Sequence, residues 1–293
     1  MTARDAMTAP KVQTAQRGVA LIAVLWLVAA MSLIITGIVQ SVRSEIRTVG
    51  VQRQAVIANA LADAGILLAL QNLQAQQKEP GAAVQQIPVQ FEGLNAQVSV
   101  QPLNGLIDIN NAAPLLLADL YRHAGGLNAD AAQAMAQATI ESRQLKNVKG
   151  VAQGFEAVED LLRVPKMTYD LYVKVAGLVT ADLKDGSGRV NALAAPVGVL
   201  QVLTGGDVAR AASLAARRTA DLNVMDTSFL KPEHIEMASS RTLRLQVQVD
   251  LADGAAAQKA WLVYWGADPR SGLPWRVLAT QQSMQRAPAN PSL

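Results

Sequence analysis

The 293-residue chain contains no cysteine. Disulfides, thiolate zinc sites and a cysteine nucleophile are therefore excluded, and the redox compartment stays open. Aromatic residues are scarce at 4%, and there are only two histidines, His123 and His234. Neither has a second histidine at metal-ligand spacing, and no HExxH motif, G-x-S-x-G elbow or phosphate-cradling loop is present. Catalysis thus has little to stand on, and both histidines are expected at surface or capping positions. Charge of either sign is thinly spread, with 26 Lys and Arg against 23 Asp and Glu. A net charge of +3 dispersed in this way does not describe a nucleic-acid surface.

Two local absences carry more. No charged residue occurs between Val19 and Val42, and no proline between Pro10 and Pro80. Twenty-four helical residues rise roughly 36 Å, enough to cross a hydrocarbon core of about 30 Å. The apolar run of a cleaved secretory signal is usually about 7 to 15 residues long and ends at a small-residue site. This run is longer and leaves through Gln40-Ser41-Val42-Arg43, so a retained span is expected. Lys11 and Arg17 before it nearly balance Arg43 and Arg47 after it, so orientation is not set by charge. Apolar residues continue at Val42, Ile46, Val49, Val56, Ala60 and Leu67, spacings that belong to a helix. The reading is one helix from about Val19 to about Leu73, with Gly37, Gly50 and Gly65 as points of bending.

What is present beyond Leu73 divides by periodicity. The Gln-rich stretch "QAQQKEPGAAVQQIP" reads as a link, and "VQFEGL" and "NAQVSVQPL" as two strands around Glu92-Gly93-Leu94-Asn95. A second alternating zone lies near the far end, in the runs Leu243 to Leu251, Lys259 to Trp265 and Trp275 to Ala279, which make a meander. About 125 residues of helical pattern separate the zones. The economical fold class is α+β: a long N-terminal helix and one antiparallel sheet interrupted by a large all-helical insertion. Inside the insertion, "GLIDINNAAPLLLADL" from Gly105 echoes "GRVNALAAPVGVLQVL" from Gly188 at a shift of 83 residues. In each copy an extended piece and a polar turn precede an apolar helix. Asp108, Asn110, Asn111 or Asn191 can accept hydrogen bonds from free N–H groups there.

The helix-turn-helix outline of "EDLLRVPKMTYDLYVKVAGLV" invites a DNA reading, but its turn, Pro165-Lys166-Met167-Thr168, has no glycine to let backbone N–H groups approach a phosphate. Thr168 as an N-cap and Asp170 in the first turn account for the residues structurally. Glu156 and Glu159 fit a helix start in the same way.

Several of these stretches together resemble a known family. Arg17-Gly18 directly before a long apolar helix is similar to the processing site of type IV pilin-like proteins, in which a prepilin peptidase cuts after the glycine and the new amino terminus is methylated. The resemblance implies a leader of 1–18, cleavage after Gly18 and a methylated Val19. Most members carry Glu at the fifth mature position; Ala23 stands there in this chain. That departure is typical of the K-type minor pseudopilins of type II secretion systems. It makes physical sense for a tip subunit, since an unpaired carboxylate in lipid costs several kcal/mol. The two repeats, with "NNAAP" and "ALAAP" in place of a threonine-containing turn, "ANALADAGILLAL", "FEAVEDLLRVPKMTYDLYVKVAGLVT" and "WRVLA" match that family in order over most of the chain.

From the resemblance follow these expectations: a transmembrane part at 19–42, an amphipathic helix at 43–76, pilin-like segments at 77–110 and 237–293, and a helical insertion at 111–236. The protein would sit in the bacterial inner membrane with its globular part in the periplasm. Its partners would be the I- and J-type minor pseudopilins in a tip complex, the major pseudopilin and the prepilin peptidase. Leu21, Ile22, Ala23, Leu25, Val42, Ile46 and Val49 are the expected assembly stripe. Bulk favours a tip position, because so large an insertion is too wide for the middle of a tightly stacked filament. Calcium in the globular part is also implied, and Asp250, Asp253 and Asp268 sit in candidate loops without defining a site. The alternatives are a minor pilin of a type IV pilus and a membrane-anchored periplasmic protein of enzymatic or DNA-binding function.

Overall fold

The computed structural model describes residues 15–76, 80–91, 94–145, 152–183, 186–220, 227–250 and 256–285. The chain divides between Ile57 and Ala58 into two units. Helix α1 covers Ala15–Ala75 and passes through Gly37, Gly50 and Gly65 in helical conformation. In chain order there follow β1 (Gln85–Phe91), β2 (Leu94–Pro102) and β3 (Ile107–Asp108), then α2 (Pro114–His123), α3 (Ala129–Arg143) and α4 (Tyr169–Ala176). Next come β4 (Val179–Thr180), β5 (Val190–Asn191), α5 (Val197–Leu203), α6 (Val208–Ala220) and β6 (Ile235–Glu236). The last three strands are β7 (Thr242–Asp250), β8 (Ala256–Trp265) and β9 (Trp275–Gln285).

The main sheet has the order β1-β2-β7-β8-β9, antiparallel throughout. Strands from the two ends of the body meet at β2 and β7, where Val98 faces Val247 and Val100 faces Leu245. The expected single sheet, interrupted by a helical region, is thus the observed one. Alternation explains why it forms: Leu243, Leu245, Val247 and Val249 are buried while the residues between them are more exposed. The last turns of α1 cover that face through Ala58, Ala62, Ile66, Ala69, Leu70 and Leu73. Their spacing of three and four is that of a helix face, and the alanines let helix and sheet approach closely.

Val56, Ala60 and Leu67, which carry the helical spacing in the sequence, are all exposed and lie off the face that packs on the sheet. A hydrogen-bonded pair of contacts fixes the true face. Asp63 accepts from the Lys259 ammonium at 2.6 Å and from the Trp261 indole N–H at 3.1 Å, both on β8. The Lys259 side chain is only 13% exposed, so its charge is partnered where water is scarce.

The helical region has its own core, built on Ile107, Leu116, Leu117, Leu120, Tyr121 and Leu200 among others. Each sequence repeat opens with a two-residue strand that finds a parallel partner after its helices: Ile107 beside Val179, and Val190 beside Ile235. The repeat glycines explain each other. A side chain at Gly105 would strike the Ala194 backbone at 2.5 Å, and one at Gly188 would strike the Asn111 carbonyl. Asn111 and Ala194 are equivalent positions at the shift of 83 residues, so each copy presses its glycine against the same place on the other.

The polar turn residues act structurally, as expected. Asp108 accepts from the Asn110 N–H at 2.9 Å, Asn110 accepts from the Phe155 N–H at 2.7 Å, and Asn191 accepts from the Leu193 N–H at 3.0 Å. Asn111 differs, donating to the Asp108 carboxylate at 2.7 Å. None of them caps α2 or α5, whose N-cap residues, Ala113 and Pro196, carry no side-chain cap. Burial pushes the Asp108 carboxyl above its ordinary range, against the opposing pull of the Asn111 and Asn110 hydrogen bonds and the Arg143 charge.

Candidate functional site

The candidate site is a surface on α1. Leu21–Arg43 is a stretch of 23 residues, long and apolar enough to cross a membrane, and none of it is buried in the protein. At about 1.5 Å per residue it rises about 34 Å. Leu21, Ile22, Ala23 and Leu25 all face outward, Leu21 at 71% and Leu25 at 66% exposure. Two hydroxyls within it are satisfied locally: Ser32 donates to the Val28 carbonyl and Thr36 to the Ser32 carbonyl, each at 2.8 Å. A helix that must satisfy every polar group without water uses this device.

Gly18 and Val19 lie in the helical backbone of α1, and residues 1–14 lie outside the described residues. Farther along, Val42, Ile46 and Val49 are 47%, 67% and 58% exposed. The seven residues of the expected stripe are therefore all on the surface, apolar and uncovered among the described residues.

A second stretch, Gln52–Ala75, is also long and apolar enough to span, but 39% of its window is buried inside the protein. Ala58, Ala62, Ile66, Ala69, Leu70 and Leu73 within it fill the body core described above, which accounts for their apolar character without a membrane.

Other candidates resolve into scaffold. In the turn before α4, Thr168 accepts from the Leu171 N–H at 3.2 Å and Asp170 holds Lys174 at 2.7 Å, as expected of a capped helix start. Lys166 takes a left-handed φ of 68°, a conformation that glycine adopts at less cost. Asp160, rather than Glu156 or Glu159, closes the preceding 3-10 turn, accepting from the Glu156 and Ala157 N–H groups. His123 ends α2 with Nε2 3.9 Å from Asp119.

His234 departs from the surface expectation. It is 2% exposed and its Nε2 has no hydrogen-bond partner. Burial, then the Lys231 charge, push its pKa below 6.5, against Asp119 and Glu233. Nothing in the local sequence marked it, although the charges that act on it, Lys231, Asp119 and Glu233, include two from its own segment.

Calcium finds no cluster among the described residues, where no three His, Cys, Asp or Glu side chains gather. Asp268 is engaged by its own turn, accepting from the Ser271 hydroxyl at 2.7 Å and the Arg270 N–H at 3.2 Å, which hold its pKa low. Asp250 accepts from Gln248 at 3.0 Å, and Asp253 lies outside the described residues. Among the described residues, Asp250 and Asp268 are thus engaged by their own strand and turn and are not gathered with other ligands.

No family model matches the chain, and no curated protein matches it. Among solved structures, it is similar to a chain in the crystal structure of the GspK-GspI-GspJ complex from the enterotoxigenic Escherichia coli Type 2 Secretion System. The identity is 16% and the TM-score 0.49, over 82% of this chain and 99% of that one. At that distance, the functional case rests on this chain's own residues.

Proposed function

We propose that this chain is a minor pseudopilin of the K type, which caps the periplasmic pseudopilus of a type II secretion system and initiates its assembly. One observation carries the reading: a wholly exposed apolar helix of spanning length, preceded by Arg17-Gly18, feeds a helix-on-sheet body interrupted by a helical insertion. In this reading 1–18 is removed by the prepilin peptidase, Val19 is methylated, and 19–42 lies in the inner membrane with the body in the periplasm. The part at 43–76 leaves the membrane. The pilin-like segments 77–110 and 237–293 enclose the insertion at 111–236.

The mechanism follows from surface chemistry. Leu21, Ile22, Ala23 and Leu25 pack against helices of neighbouring subunits inside lipid, where close van der Waals contact replaces the hydrophobic drive. Val42 does so at the membrane boundary, and Ile46 and Val49 beyond it in water, where their exposed area favours a helical partner. With Ala23 at the fifth mature position, the span carries no buried charge that would need a subunit above it. The partners are the I- and J-type minor pseudopilins, with the major pseudopilin below them.

Complementation tests this. In a secretion strain lacking its K-type subunit, the chain restores exoprotein release and co-purifies with the I- and J-type subunits. A triple change of Val42, Ile46 and Val49 to Gln loses the co-purification while leaving the body folded. Retention of both partners by that variant would contradict the assembly role of the stripe.

A further inference from the structure

A cleft of about 590 Å³ opens in the body where the helical region meets the main sheet. That volume lies within the roughly 300–1,000 Å³ of small-ligand sites. The sheet contributes Tyr264 on β8 with Arg276 and Leu278 on β9, and the helical region contributes Leu183, Ser187 and Glu236. Lys184 and Asp185 lie outside the described residues. The charged groups of the cleft are not equally satisfied. The Glu236 carboxylate is held at both oxygens, by the Asn104 amide at 2.8 Å and the Ser187 hydroxyl at 2.6 Å, so it does not call for a cation. The Arg276 guanidinium is the reverse case. It lies over the Tyr264 ring at 5.6 Å, and among the described residues it makes no hydrogen bond or ion pair. Asp268 feels its charge, but the Asp268 oxygens are taken by the Ser271 hydroxyl and the Arg270 N–H. The ring beneath it is placed by a missing side chain, since a Cβ at Gly266 would crowd Tyr264 at 2.8 Å. A guanidinium over a ring face keeps its fork of N–H donors for another acceptor.

We propose that this cleft binds the carboxylate end of a peptide, with Arg276 as the fork that receives it and Leu183 and Leu278 as the apolar wall for the last side chain. The charges select the ligand. A planar carboxylate matches a single guanidinium through two parallel hydrogen bonds. A phosphate dianion is opposed by Glu236 and Asp182 in the same cleft. Those carboxylates suit the N–H groups that a peptide brings with it, because each Glu236 oxygen keeps a second lone pair after its bond to Asn104 or Ser187. Leu278, 41% exposed on the sheet side, gains cover from the last side chain of the ligand. A free short peptide and the end of another protein chain present the same group. The inference goes beyond the assembly role of α1 and does not depend on it.

The test titrates the full chain, purified in detergent micelles and labelled for NMR, with the probe N-acetyl-Ala-Ala-Leu. Saturable binding with a Kd below about 1 mM is expected. The same peptide with an amidated end, which also controls for partition into the micelle, binds roughly tenfold more weakly or worse. Arg276 is exposed, so Arg276→Gln keeps the Tm while losing affinity by a similar factor. Arg270→Gln, exposed in the neighbouring turn, binds the probe as the unaltered chain does. Leu278→Gln isolates the apolar wall: changing the last Leu of the probe to Gly weakens binding to the unaltered chain and makes no difference to this variant. Unblocked Ala-Ala-Leu tells the two sources apart, since tighter binding than the acetylated probe assigns a free peptide and equal or weaker binding assigns a chain end. The proposal is overturned by equal affinity for acid and amide, by unchanged binding to Arg276→Gln, by no saturable binding, or by full displacement of the probe with inorganic phosphate at the same concentration.

Discussion

Two stretches of α1, Leu21–Arg43 and Gln52–Ala75, are alike in length and both apolar enough to cross a membrane. They differ in where their apolar residues go. In the second, Ile66, Leu70 and Leu73 are buried against the sheet, and Asp63 is tied to β8. In the first, Leu21, Leu25 and Leu33 are exposed, with nothing covering them among the described residues. Apolarity that a fold already uses needs no further account; apolarity the fold leaves uncovered requires lipid or another protein.

The two stretches differ most at paired leucines. Leu70→Asp buries a carboxylate in the body core and is expected to unfold it, while Leu70→Ala costs about 2–5 kcal/mol in chemical denaturation. Leu25→Asp leaves the body's denaturation midpoint unchanged to within about 0.5 kcal/mol. It opposes membrane insertion by about 2.5–3.5 kcal/mol, read as loss of the chain from the membrane fraction. If Leu25→Asp destabilised the body as much as Leu70→Asp, the two stretches would not differ as described.

Small residues give a finer contrast. Ala62 is fully buried, so Ala62→Leu overpacks the seam and lowers stability by about 1–3 kcal/mol, whereas Ala29→Leu on the exposed stretch has no effect on the body. Asp63→Ala strands the partly buried Lys259 ammonium and leaves the Trp261 N–H unpaired, at a cost of about 1–3 kcal/mol. Asp63→Asn, which keeps an acceptor, is milder, and thermal unfolding ranks the two.

The smallest effect is a pH slope within the body. The folded pKa of His234 lies below the unfolded value near 6.5, so below that pH the unfolded chain binds a proton that the folded chain refuses. Stability falls as pH drops from about 6.5 and levels off once the folded group titrates too. In His234→Gln, the dependence of Tm on pH between about 6.5 and 5 becomes shallower.

Much of the fold was legible because its signals are local. Alternation marked β1, β2 and the β7–β9 meander, the repeat glycines marked both short strands of the insertion, and Thr168 marked the start of α4. What escaped depends on distance in sequence. The buried face of α1 is carried largely by alanines at 58, 62 and 69, which a pattern of large apolar residues such as Val56 and Leu67 does not mark. The Asp63–Lys259 pair joins residues too far apart for any periodicity to show, and nothing in its own segment marks His234 as buried. At the candidate site, the residues of the stripe were legible as apolar and helical. Only the structure placed them on the surface, because exposure is a property of what the rest of the chain leaves uncovered.

The central claim is that the exposed stretch is permanent, processed at its start and shared with sibling subunits. The direct measurement is the intact mass and N-terminal sequence of the membrane-associated chain, produced with and without a prepilin peptidase. The account predicts a methylated chain beginning at Val19 with the peptidase and an unprocessed one without it. A chain that retains residues 1–18 in the presence of active peptidase, or that begins elsewhere within the helix, would contradict it.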